Sequence, residues 1–314
     1  MKPLKPFFVV ALTLIFLGIP QETFSGNGQW SQQIDYGSGL VSAGNTTLGT
    51  VSSLSVSKAG FNAWSDNGMW WNDAYFLWKV NGQDKSGGFA GVNLPRTGGS
   101  GNDSYFGWNT SLNINLLSGL TYRGTYDFSY QYEARDNGGK FYSSVYTQSF
   151  TITAGDYYAS NSGASAISQS AFNGGSSTLT GSVKLDKFGT GQINLTGNNN
   201  YTGVTTINAG ALEAQNENAL GSTVGGTTVN SGAALKLFNS TSISFASESL
   251  TLNGTGVSNS DGALRSVGGN NTWNGAITLG SSARINADTT GAAGSLTIAG
   301  NITGGSNVLF LGAT

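Results

Sequence analysis

Three strings in the second half of the chain recur at fixed offsets, and a chain that repeats itself every twenty-odd residues has few folds open to it. Residues 197–207 align with 269–279, 72 positions on, with five of eleven residues identical; Tyr201 falls on Trp273 and Ile207 on Leu279. Residues 205–211 recur 22 positions on at 227–233, and residues 249–254 recur 46 on at 295–300. Gly, Ser, Thr and Asn make up 48% of the 314 residues, and that bias alone supplies roughly one chance match in eleven positions. A rung of ~22 residues, with 46 as two rungs and 72 as three, accounts for all three recurrences.

A period of this length implies a solenoid. Leucine-rich repeats share the length, but their fixed Leu spacing is absent and no helical pattern lies between the strands. A parallel β-helix fits better. Each rung contributes short strands whose alternate side chains point inward. Gly and Asn turn the corners because both tolerate a positive φ, and stacked Asn side chains can bond along the axis. In this register Leu195, Ile207 and Leu212 point into the bore. About six rungs are expected over residues 178–314.

Residues 185–197 read Leu-x-Lys-x-Gly-x-Gly-x-aliphatic-x-Leu-x-Gly, and Asn199, Tyr201, Thr202 and Gly203 continue the string towards residues 205–212. This resembles the autotransporter-associated β-strand repeat, the passenger-associated repeat of type V secretion systems. Residues 219–221 and 250–254 look like the family's flanking rungs, so the resemblance covers about residues 183–314. It implies a right-handed parallel β-helix displayed outside a Gram-negative-type cell. Autotransporters end in a membrane β-barrel, and no barrel-like strands occur before Thr314, so the outer-membrane translocator is not in this chain.

The first half is different. Residues 27–158 carry 24 of the 35 aromatic residues and six of the seven Trp, which suits a single core filled by large rings. Tyr126, Phe128, Tyr130, Tyr132 and Ala134 alternate with polar residues, the period-two signature of a strand. Turn residues at 135–140 and a second apolar run at 141–153 predict a hairpin. Ala74, Phe76, Trp78 and Val80 alternate likewise, as do Leu112, Ile114 and Leu116. Several such strands within ~130 residues predict a β-sandwich or jelly-roll domain. Residues 159–177, rich in Ser, Ala, Asn and Gly, read as a linker.

The amino terminus carries Lys2 and Lys5, then a 13-residue apolar run at 7–19, Pro20 and small residues near 25. That is a secretory signal peptide, residues 1–25, for signal peptidase. The run is short of the ~20 residues that span a bilayer. The mature chain is therefore expected to be secreted, or held at the cell surface or outer membrane.

Composition then limits the chemistry. With no His and no Cys, a Ser-His-Asp triad, a thiol nucleophile and the usual zinc ligand sets are excluded. Fourteen scattered Lys and Arg give no grip on nucleic acid. The Asp-Asn-Gly strings at 66–68 and 136–138 lack the later carboxylate of a calcium loop and read as turns. Of the acids after residue 159, only Glu213 and Glu217 lie close together, and they read as solvated groups near a turn. Neither a polysaccharide-cleaving enzyme nor a cofactor or metal site is expected. Two partner classes remain: surface glycans, and a second copy of the chain through an apolar, uncapped final rung at 307–314. The candidate glycan platform is Trp64, Trp70, Trp71 and Trp108. Trp70 and Trp71 are adjacent, so in a strand they face opposite ways, and Trp71 is expected to be the exposed one. The leading reading is a structural β-helix passenger with an adhesive role; a carbohydrate-binding protein acting through the first domain is the alternative.

Overall fold

The computed structural model describes residues 28–37, 40–64, 73–82, 85, 88–99, 103–107, 110–136, 139–258, 261–288 and 294–313. The signal segment therefore lies outside the described residues. Within them the chain is all β apart from one short 3-10 turn, Gln169–Ala171.

The period-two pattern at 125–134 becomes the strand Gly124–Asp136, at the centre of a six-stranded sheet. Asp73–Asn81 pairs antiparallel on one side of it. Gly139–Tyr142 and Tyr146–Ile152 share the other side. The register slips by one residue between those two short strands, so the predicted hairpin forms with a bulge around Ser143. A second, five-stranded sheet runs in the order Leu40–Ser42, Gly28–Asp35, Lys58–Trp64, Asp103–Phe106, Arg96–Gly98, antiparallel throughout.

The two sheets share one core. Ile34, Ala59, Phe61 and Phe106 enter from the five-stranded sheet; Phe76, Val80, Phe128, Tyr130 and Tyr132 enter from the other, all at 3% exposure or less. The Phe61 and Tyr132 rings meet with centroids 5.2 Å apart. Buried phenols need acceptors. Tyr132 Oη donates to Gln33 O at 2.5 Å, and Tyr126 Oη to Tyr122 O at 2.7 Å. Trp78 is half-buried and packs against this core.

Residues 157–313 form a parallel β-solenoid of about six turns. On its first face Tyr157, Leu185, Thr205, Thr227, Leu250, Ile277 and Ile302 stack in register. On its second, Ile167, Ile193, Leu212, Leu235, Leu264, Ile285 and Leu311 do the same. A third face has paired strands only in the later turns, where Phe245, Trp273 and Ile298 stack. Leu195, Ile207 and Leu212 are fully buried in the solenoid core, as the repeat register requires.

The 72-residue recurrence is three turns, from Thr205 through Thr227 and Leu250 to Ile277. The 46-residue recurrence is not two turns. Leu250 lies on the first face and Leu296 on the third; two turns beyond Thr227 stands Ile277, and beyond Leu250 stands Ile302. A short strand followed by a Gly corner can serve any face, so that string recurs without structural equivalence.

Residues 159–177, linker-like in composition, belong to the first turn. Tyr157–Ser160 pairs with Leu185–Phe188, and Ile167–Ser168 with 193–194. The corners also divide their labour differently from expectation. Among the described residues only Asn113 carries a positive φ without being Gly. Asn instead supplies hydrogen bonds: Asn230 Nδ2 donates to Asn208 Oδ1 of the preceding turn at 3.0 Å.

The segment leading into Gly124–Asp136 meets the first strand of the solenoid. Arg123 N donates to Asp156 O and Asp156 N to Thr121 O, both at 3.1 Å, beside the first strand. The Arg123 guanidinium lies 3.9 Å from the Tyr157 ring centre, and Tyr122 Oη donates to Asp186 Oδ2 at 2.9 Å.

Candidate functional site

On the second face the inward positions are aliphatic and the outward ones are not. Gln192, Ala211 and Ala234 stack in one outward column; Asn194, Glu213, Lys236 and Arg265 stack in the next. Small side chains in the first column leave space above the sheet. The result is a trough of about 450 Å³, walled by residues 162–164 and 190–192 on early turns and by Lys236, Val257 and Asp261 on later ones.

The wall at 189–191 must be thin. Gly189 holds φ +74°, and a Cβ there would meet Asn161 O at 2.3 Å; a Cβ on Gly191 would meet Gly163 O at 2.4 Å. No side chain fits between these turns.

The charged column is held by side-chain bonds. Lys236 Nζ donates to Gln192 Oε1 at 2.8 Å, and Gln192 Nε2 donates to Glu213 Oε2 at 3.0 Å and to Asn194 Oδ1 at 2.9 Å. Gln215 Nε2 donates to the other Glu213 oxygen at 2.6 Å. Arg265 grips Asp288 through two bonds of 2.7 and 3.0 Å and lies 3.6 Å from Asp261. Glu213 is therefore buried at 8% exposure. The reading of it as a solvated acid is corrected: a carboxylate that accepts amide donors on both oxygens can leave bulk water.

Two further ionisable groups lie inside the solenoid. Lys187 stands in an inward column between Ala159 and Ile207. Its ammonium donates to Phe188 O at 3.0 Å, Gly189 O at 2.6 Å and Ala209 O at 2.7 Å. Burial pulls its pKa down to about 8. Glu248, 4% exposed, accepts from Thr227 Oγ1 at 2.5 Å, and burial pushes its pKa up to about 7.

Of the tryptophans expected to form a glycan platform, Trp64 ends its strand opposite Gly28 and Asp103. Trp70, Trp71 and Trp108 lie outside the described residues. The trough residues were not singled out from the sequence. The available signal was the spacing of Glu213 and Lys236, 23 residues apart, which is one rung.

The fold and this surface together define a class: a parallel β-solenoid scaffold with a largely apolar interior and a polar outer trough. Residues 185–214, a stretch of the second and third turns, match the model of the passenger-associated-transport-repeat family. No curated protein matches the chain.

Proposed function

We propose that this chain is the structural passenger of a Gram-negative-type export system, held at the cell surface or released, with adhesion as its role. One observation carries the reading. The passenger-associated repeat at 185–214 is built into consecutive turns of an extended solenoid whose inward columns it supplies. A solenoid grows by adding turns, so it presents a long outer surface for its length. The basic start and 13-residue apolar run at 7–19 support export.

Expression in a Gram-negative host, with fractionation and amino-terminal sequencing, tests this. The product should leave the cytoplasm, and its amino terminus should begin near residue 26. Deleting residues 7–19 should retain it inside. A chain that keeps Met1 and stays cytoplasmic overturns the proposal. Adhesion is read separately, by attachment of displaying cells to glycan-coated surfaces.

A further inference from the structure

We propose that the trough on the second face binds a neutral oligosaccharide lying along the solenoid axis. This site is separate from the tryptophan cluster and does not rest on where the protein resides.

The shape comes first. The trough runs from the turn at 162–164 to Asp261 across five successive turns. Four steps of about 4.8 Å give a length of about 19 Å, and its volume of about 450 Å³ falls within the range of ligand sites. An elongated occupant fits, with its long axis across the strands.

The chemistry narrows the occupant. The floor is the outer face of a sheet whose backbone groups are already paired along the axis. A peptide strand would find no edge to extend. The occupant must be read by side chains alone. Ala211 and Ala234 lie beneath the trough at 5% and 0% exposure, so an occupant meets the polar groups around them rather than their methyl groups. Around them donors and acceptors follow one another along the axis: Ser162 and Thr190 on the early turns, Lys236 and Asp261 on the later ones. Lys236 gives one N–H to Gln192, and an ammonium carries three. The anchoring of Gln192 by Glu213 and Asn194 fixes where that ammonium points.

Charge decides between neutral and acidic sugars. Lys236 stacks directly on Glu213, and Asp261 stands within the trough beside Arg265. Positive and negative groups interleave, so no net field selects an anion. Hydroxyl groups, which both donate and accept, match this surface. Among the described residues no aromatic ring lines the trough, so binding should be weak, on the order of 1 mM, and useful through many copies on one surface.

Saturation-transfer NMR on the full chain, with cellotetraose, chitotetraose and tetragalacturonate at millimolar concentrations, tests the site. At least one neutral tetramer should bind. Lys236→Ala and Asp261→Ala should each weaken it about tenfold, the loss of one charge-assisted bond. Thr190→Trp, placed on an exposed wall outside the core, should abolish it, while Lys184→Ala on the first face should leave it unchanged. Circular dichroism melts separate these effects from misfolding. Failure of both neutral tetramers to bind overturns the proposal, as does binding untouched by Thr190→Trp. Preference for tetragalacturonate overturns the neutral assignment.

Discussion

Lys187 shows how a single polar residue can be kept inside a column of apolar ones. Its neighbours in the column are Ala159 and Ile207, yet all three ammonium protons find carbonyls. Those carbonyls belong to the corner backbone and persist in any variant. Lys187→Met removes the desolvated charge but orphans acceptors, and the second effect should win, at about 1–3 kcal/mol lost. Urea unfolding checks this; unchanged stability would mean water replaces the ammonium. Lys187 and Glu248 also give the solenoid a pH signature. Glu248 binds its proton more tightly folded than unfolded, since its pKa is raised to about 7. Its contribution is full at the usual carboxylate range and is lost as pH rises towards 7. Lys187 is the reverse: its pKa is lowered to about 8, so stability recovers from pH 8 towards the ordinary lysine range. The two together predict a shallow stability minimum between pH 7 and 8. Glu248→Gln should flatten the acid limb of the urea midpoint against pH, and Lys187→Met the alkaline limb.

At the scale of the strand, the solenoid's unit is a short inward-outward alternation bonded to its neighbours on both sides. Leu212 is fully buried between Ile193 and Leu235. Leu212→Asp would leave a charge without a partner in that core, at a cost of about 3–5 kcal/mol. Because each turn contacts mainly the next, the damage should begin locally. Hydrogen exchange should quicken first in Gln192–Leu195, Gly210–Ala214 and the adjoining residues 233–237, while Gly124–Asp136 keeps its protection. Simultaneous loss of protection in both regions would instead show that the sheets and the solenoid unfold as one unit.

The two ends of the whole molecule are unlike. At one end the segment around Tyr122 and Arg123 packs on the first strand of the first turn. At the other, among the described residues, Leu309–Ala313 pairs on one side only, and Val308, Phe310 and Leu311 are 51%, 41% and 74% exposed. A bare strand edge with apolar side chains is a template for another chain. As the 314-residue polypeptide it should associate through this edge. Light scattering over a concentration series should show the association, and Leu311→Lys should abolish it. A monomer at every concentration would contradict this geometry.

Local pattern alone determined the fold class. The alternation at 125–134 specified a strand and its buried face, because side chains alternate by geometry whatever surrounds them. The recurrences at 22 and 72 specified a solenoid, because a unit that cannot bury its own apolar face must stack on a copy. Tertiary structure decided the rest. Rungs of 19 to 29 residues share one register only after their corners close, so the face taken by residues 295–300 could not be read from its string. Residues 159–177 look like a linker because corners and linkers share Gly, Ser and Asn; only pairing with 185–188 and 193–194 makes them a turn. Burial of Lys187, Glu213 and Glu248 depends on partners, several of them about twenty residues away, and so does the trough. Those contacts run along the axis from turn to turn, where stacking sets the neighbours and sequence adjacency does not.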